Sequence, residues 1–188
     1  MTDMNFKEKV FKISRQLLTI WGGISLLGVI AIGGYLLYSM TLGNTTVEGK
    51  ATKSDVIFVL NWCELGDQRI DKVLRSYKSA RSLTGDHLDV YAIKITNVTV
   101  DELVNSTANR TGQWYRMDSL PKVLDEAVAF VGSWQHETPW FPSEDSLRTK
   151  NFYVYPWSIY CHGISPTSAQ LIFINPTEKM VYYISAEM

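Results

Sequence analysis

From Leu17 to Val47 the chain carries no charged residue, whereas the sixteen residues before it hold Lys7, Lys9, Lys12 and Arg15 against Asp3 and Glu8. The apolar centre of this stretch, Leu17 to Met40, is 24 residues long. As a helix rising about 1.5 Å per residue it covers roughly the 30 Å hydrocarbon layer of a bilayer. A buried helix of a small soluble domain rarely runs so far without a charge. A cleaved secretory leader has an apolar core of about 7 to 15 residues that ends in small side chains, but here Tyr-Leu-Leu-Tyr-Ser-Met closes the run. The expectation is an uncleaved single transmembrane helix.

The flanks orient it. Four basic residues precede the span and the next one after it is Lys50, so the amino terminus is expected in the cytoplasm. The expected layout is a basic cytoplasmic stub over residues 1–16, a transmembrane helix over 17–40, a polar linker over 41–54 and an extracytoplasmic domain over 55–188. From Thr41 onward the chain has 14 basic and 17 acidic side chains, a net of -3. Trp21, Tyr35 and Tyr38 suit the interfacial belts. Gly28, Ala31 and Gly34 fall on one stripe that admits a close helix neighbour, although ordinary glycine usage in membrane helices gives the same pattern. The expected partners are the bilayer and a membrane or periplasmic protein complex. A bacterial inner membrane is the expected location, with a eukaryotic secretory-pathway type II protein as the alternative. The N-x-S/T triplets at Asn44, Asn97, Asn105 and Asn109 are glycan acceptors only in the second case.

Over the whole chain, 18 basic against 19 acidic side chains leave a formal charge of -1. Such a balance supplies no basic field for nucleic acid. The sequence has no glycine-rich phosphate loop, no G-x-S-x-G and no H-E-x-x-H, so nothing points to nucleotide-dependent or hydrolytic chemistry. No cofactor is expected.

Beyond the linker the pattern is that of a mixed α/β domain. Val56 to Leu60 is a continuous apolar run that suits a buried strand. Ile70, Val73, Leu74 and Tyr77 recur at helical spacing, so a helix is expected from Asp67 to Leu83, closed by Gly85. His87 to Thr96 alternates as a strand, and Thr99 with Glu102 forms a capping box for a short helix. A stronger helix is expected from Asp118 or Ser119 through Val131, with Pro121 in its first turn. Residues 135–150 lack any period and read as a long aromatic loop. Strands are expected at Phe152 to Tyr155, Gln170 to Asn175 and Lys179 to Ser185, the last two joined by an Asn175-Pro176-Thr177-Glu178 turn.

Two of these segments carry a family resemblance. A buried strand that runs into Trp62-Cys63 ahead of a helix resembles the redox corner of thioredoxin-like proteins. The run Tyr160-Cys161-His162-Gly163-Ile164-Ser165-Pro166-Thr167, followed by a strand and a turn, is similar to that family's cis-proline loop and closing hairpin. The resemblance implies a thioredoxin-like mixed sheet, interrupted by a helical insertion around Val100 to Lys150, with Ser165 and Pro166 facing Cys63. The family's second cysteine would stand at Gly66, so the C-x-x-C couple is absent. Cys161 is then the one possible partner for Cys63. In an extracytoplasmic domain the pair is most economically read as a structural disulfide. Two unbonded thiols and a catalytic, redox-cycling Cys63–Cys161 pair remain open. Cys161 and His162 beside Cys63 would supply three metal ligands, but no ligand spacing of known specificity is present, and no metal is expected.

Trp134, Trp140, Phe141 and Trp157 form a candidate partner surface, with a cap over the core as the competing role. The functional expectation is a single-pass, membrane-anchored interaction or assembly component with a degenerate thioredoxin-like extracytoplasmic domain. The alternative is a membrane-tethered thiol–disulfide exchange protein that uses Cys63 with Cys161.

Overall fold

The computed structural model describes residues 6–41, 44–82, 84–104 and 112–188. The uncharged stretch lies within one continuous helix, α1 (Phe6–Thr41). Its segment Val10–Tyr38 has 29 residues and a mean hydropathy of 1.9, and side chains such as Leu18, Trp21, Leu27 and Leu37 are exposed. By length and composition this helix can cross a membrane. The chain divides into two compact units, Met1–Asn44 and Thr45–Met188.

The second unit is a mixed α/β domain built on a seven-stranded sheet. Its strands are β1 (Val47–Glu48), β2 (Ile70–Lys78), β3 (His87–Ile95), β4 (Tyr115–Arg116), β5 (Tyr153–His162), β6 (Ser165–Asn175) and β7 (Met180–Glu187). They lie in the order β1-β2-β3-β7-β6-β5-β4, and every neighbouring pair is antiparallel. The central strands alternate side chains between two cores. Tyr91, Ile93, Ile172, Ile174, Val181 and Tyr183 face one of them. Leu88, Val90, Leu171, Phe173, Ile184 and Ala186 face the other.

The first core is covered by α2 (Ile57–Trp62), where a buried strand was expected. Val56, Val59, Leu60 and Cys63 are fully buried, the i, i+3, i+4, i+7 spacing of a helix laid on a sheet. A short apolar run fits both structures equally well, and here packing against the sheet decides for the helix.

The opposite correction applies to Asp67–Leu83, which holds strand β2 rather than a helix. Ile70, Val73 and Ser76 pair with Ile95, Ile93 and Tyr91, with register shifts between Ile70 and Lys72 and between Val73 and Arg75. Each bulge inserts one residue, Asp71 and then Leu74. The same-face spacing thereby becomes three instead of two and imitates a helical repeat.

The second core is covered by α4 (Lys122–Gly132), which buries Leu124, Ala127, Val128 and Val131. Burial of each Leu or Val side chain stabilises by about 1.5–3 kcal/mol. This helix starts later than expected because Pro121 is extended, with ψ 147°, and serves as the cap. The stretch 135–150 is not wholly irregular: Ser143 caps a short helix, α5 (Glu144–Leu147). Asn175 Oδ1 accepts the Glu178 N–H at 3.2 Å in the expected turn before β7.

The capping box is present at α3 (Val100–Val104). The Glu102 N–H donates to Thr99 Oγ1 at 3.3 Å, and the Thr99 N–H donates to Glu102 Oε2 at 2.9 Å. Arg69 grips the same carboxylate with two N–H groups at 2.9 and 3.0 Å. This fork, together with the Thr99 amide, lowers the Glu102 carboxyl to about 2 from its ordinary 4.5. A depressed acid stabilises the fold above its unfolded value and loses that contribution as pH falls from 4.5 toward 2. The pair is part-exposed, so its worth is at most about 1 kcal/mol. Glu102→Gln is expected to flatten this acid limb in denaturant titrations of the solubilised full chain, leaving stability at pH 2 little changed.

Candidate functional site

Trp157, Cys161, Ser165 and Pro166 of the expected site residues fall on one element, the β5–β6 hairpin. Its end is a two-residue loop: His162 pairs with Ser165, and Gly163 sits at φ +65° between them. A side chain at this position would be strained, and glycine removes that cost. Ile164 is left at the apex, 83% exposed, with Tyr160 beside it at 66%. Pro166 is a half-buried strand residue opposite Cys161, and no cis peptide bond occurs among the described residues. The expected cis-proline loop is therefore a β-hairpin. Proline stands at the irregularity of the ladder between Tyr160 and Cys161, the kind of position at which a strand tolerates it.

The Trp62-Cys63 corner is also different from the expectation. A helix precedes it instead of following it, and Cys63 caps the carboxyl end of α2. Cys63 is fully buried, and its thiol donates to Leu60 O at 3.5 Å. Cys161 is exposed on the hairpin, and no disulfide joins the two. The structural bridge expected from the sequence is absent, because one sulfur belongs to the core and the other to a protruding strand end. Both motifs behind the thioredoxin resemblance thus take another form. Cys63 does not join Cys161 and His162 as a ligand set, and among the described residues no group of three His, Cys, Asp or Glu is placed to hold a metal ion.

The proposed aromatic surface separates across the sheet. Trp134, Trp140 and Phe141 pack into the α4 core, where the Phe141 ring meets Phe173 at 6.0 Å and Tyr182 at 5.8 Å. They cap the core. Trp157 lies over the other face, where a bulge between Pro156 and Ser158 leaves it outside the ladder. Its ring stacks on Trp62 at 4.6 Å with the planes only 3° apart. Contacts continue inward from Trp62 to Phe58 at 4.5 Å, Phe58 to Tyr183 at 5.3 Å and Tyr183 to Tyr91 at 5.8 Å. Burial pushes both tyrosine hydroxyls up from their ordinary range. Trp157, at 39% exposure, is the outer end of this ladder. It is firmly backed and open to solvent on its outer side, as an anchoring side chain needs to be.

Two exposed residues of this hairpin, Tyr160 and Ile164, lie within the run compared with a cis-proline loop, but that resemblance gives neither of them a role. Charge would have found them. The 27 residues from Asn151 to Thr177 contain no Asp, Glu, Lys or Arg.

A cleft of about 240 Å³ opens beside β1, lined by Val47, Lys50, Ala51, Asp55, Ser76 and Lys78. Lys78 is engaged by the Tyr91 hydroxyl, and the Thr52 hydroxyl and amide hold the Asp55 carboxyl below its usual range. With Lys78 and Asp55 engaged locally, the cleft carries no assignment. Gly28, Ala31 and Gly34 are exposed along α1, with nothing within 4 Å of where a Cβ would stand on either glycine. Asn97 is exposed and Asn44 half-buried, and Asn105 and Asn109 lie outside the described residues. No family model, curated protein or solved structure matches the chain.

Proposed function

We propose that the chain is a single-span membrane-anchored binding protein, with α1 in the bilayer and the α/β domain on its extracytoplasmic side as an assembly component of a membrane complex. The supporting observation is the apolar helical segment Val10–Tyr38, whose uncharged part from Leu17 onward follows Lys7, Lys9, Lys12 and Arg15, on a chain that keeps an uncharged, aromatic hairpin exposed. The bacterial inner membrane with a periplasmic domain is the location this reading favours, from the basic flank.

Thiol–disulfide exchange on a thioredoxin-like frame is the weaker reading. Cys63 has no exposed surface. It stands at the carboxyl end of a helix, where carbonyl oxygens rather than N–H groups face outward, so it lacks the electrostatic help that a thiolate draws from a helix amino end.

One experiment addresses orientation and chemistry together: a membrane-impermeant maleimide added to intact spheroplasts. The expected result is a label on an exposed Lys150→Cys in a Cys161→Ser background, absent in Cys161→Ser alone. Labelling only after permeabilisation overturns the orientation. Labelling of Cys63 in the folded chain favours the exchange reading instead.

A further inference from the structure

The hairpin tip is apolar, uncharged and unsupported on both sides. Toward β7 the ladder stops at Glu187 opposite Ser168, and one further bond follows, from the Met188 N–H to Thr167 O at 2.9 Å. Toward β4 pairing covers Tyr153 and Val154 alone, so among the described residues no strand lies on the outer side of β5, away from β6, from Pro156 to His162. A strand from another chain is a poor occupant for this edge. Pro156 has no N–H to offer and the bulge at Trp157 breaks the ladder, two of the devices that protect sheet edges from pairing. What the tip presents is side chains: Trp157, Tyr160 and Ile164 at 39, 66 and 83% exposure.

Their chemistry matches a lipid surface. Tryptophan and tyrosine concentrate at the headgroup level of membranes, where an apolar ring and a polar handle are both accommodated. The nearest charged side chain along the register is Glu187 on β7, level with Tyr160 through Ser168 and two strands away from it, so the hairpin beyond Tyr160 carries none. Covalent geometry holds the start of β1 close to the bilayer of the anchor, and the row Val47, Lys78, Asp89, Ser185, Gln170 and Ser158 puts that start at the end of the sheet from which the hairpin tip projects. Five residues, Leu42 to Thr46, separate the end of α1 from β1, and a chain of that length reaches at most about 18 Å.

We propose that the β5–β6 hairpin tip is a second membrane contact, with Trp157, Tyr160 and Ile164 entering the interfacial layer of the bilayer that holds α1. The proposal rests on the membrane-anchored reading above. A domain held at two points lies against the surface in a restricted orientation, and whatever it binds must approach from the remaining sides.

The test uses the full chain in nanodiscs that contain spin-labelled lipid, with a fluorophore on the native Cys161. Reference fluorophores are placed at Ile30→Cys, within α1, and at Lys150→Cys, before β5, each in a Cys161→Ser background. The expected result is loss of emission at positions 30 and 161 and full emission at 150. Adding Ile164→Asp, a change at a site too exposed to disturb the core, is expected to restore emission at 161. Quenching at 30 without quenching at 161 overturns the proposal while leaving the anchor intact, and it points to a protein partner for the tip. Equal quenching at 150 and 161 overturns it as well, since the contact is then not made by the tip. No quenching at 30 removes the anchor reading and the proposal with it.

Discussion

Leu27→Arg is expected to release the chain from the membrane fraction. Leu27 stands near the middle of the uncharged segment and is 68% exposed on α1. A guanidinium at the centre of a spanning helix costs about 2.5–3.5 kcal/mol of insertion free energy. That shifts the equilibrium by roughly 100-fold, since 1.4 kcal/mol corresponds to a factor of ten. Alkaline carbonate extraction reads the effect directly, with wild type and Leu27→Phe in the pellet and Leu27→Arg moved to the supernatant. The impermeant maleimide should fail to reach Lys150→Cys when Leu27→Arg is added to it in the Cys161→Ser background. If Leu27→Arg stays in the pellet and leaves the label on Lys150→Cys unchanged, α1 is not what holds this protein to the membrane.

The second large effect is expected in the domain core. Phe173 on β6 has no exposed surface, and its ring packs among Leu171, Phe141 and the residues of α4. Truncation to alanine removes the ring and leaves a cavity that the flanking strands β5 and β7 cannot close, which costs about 3–5 kcal/mol. Domains of this size are stable by about 5–15 kcal/mol in total, so Phe173→Ala should unfold at much lower urea, read by tryptophan fluorescence of the solubilised full chain. Trp157→Ala is the contrast. Its ring is open on its outer side and its removal leaves no enclosed cavity, so the urea midpoint should move little. A small effect of Phe173→Ala would mean that the second core is not closed as described.

These two sites differ in how visible they were from the amino-acid order alone. The α1 signal is compositional: a long run without charge is helical in any apolar surrounding, because backbone hydrogen bonds must then be satisfied within the segment. The strand β3, the capping box of Thr99 and Glu102 and the turn after Asn175 were also legible. Each is set by neighbours within a few residues. Val56–Leu60 and Ile70–Tyr77 were misread in opposite directions for one reason, that periodicity records which face is buried and not what buries it. A run of five apolar residues becomes a helix when a sheet lies beneath it. A strand with two bulges shows a spacing of three and passes for a helix.

The candidate site divides in the same way. Trp157, Cys161 and Pro166 were singled out, but as parts of separate features, and the hairpin that unites them depends on the β5–β6 register. Composition alone groups Trp134, Trp140 and Phe141 with Trp157. The sheet places them on the opposite face, because Trp157 stacks on Trp62 while Phe141 follows α4. The cysteine pairing was an argument from number, two thiols in one domain, and burial of Cys63 separates them.

By itself the sequence determined that this protein has one long apolar helix with a basic flank and a mixed α/β domain of neutral to mildly acidic charge, since charge and hydropathy are summed along the chain without reference to its path. Only the tertiary structure decided that the sheet is wholly antiparallel, that Cys63 is core and Cys161 surface, and that Trp157, Tyr160 and Ile164 stand together on one uncharged hairpin. Those outcomes depend on register and on which faces meet, and register is set by contacts between residues far apart in the chain.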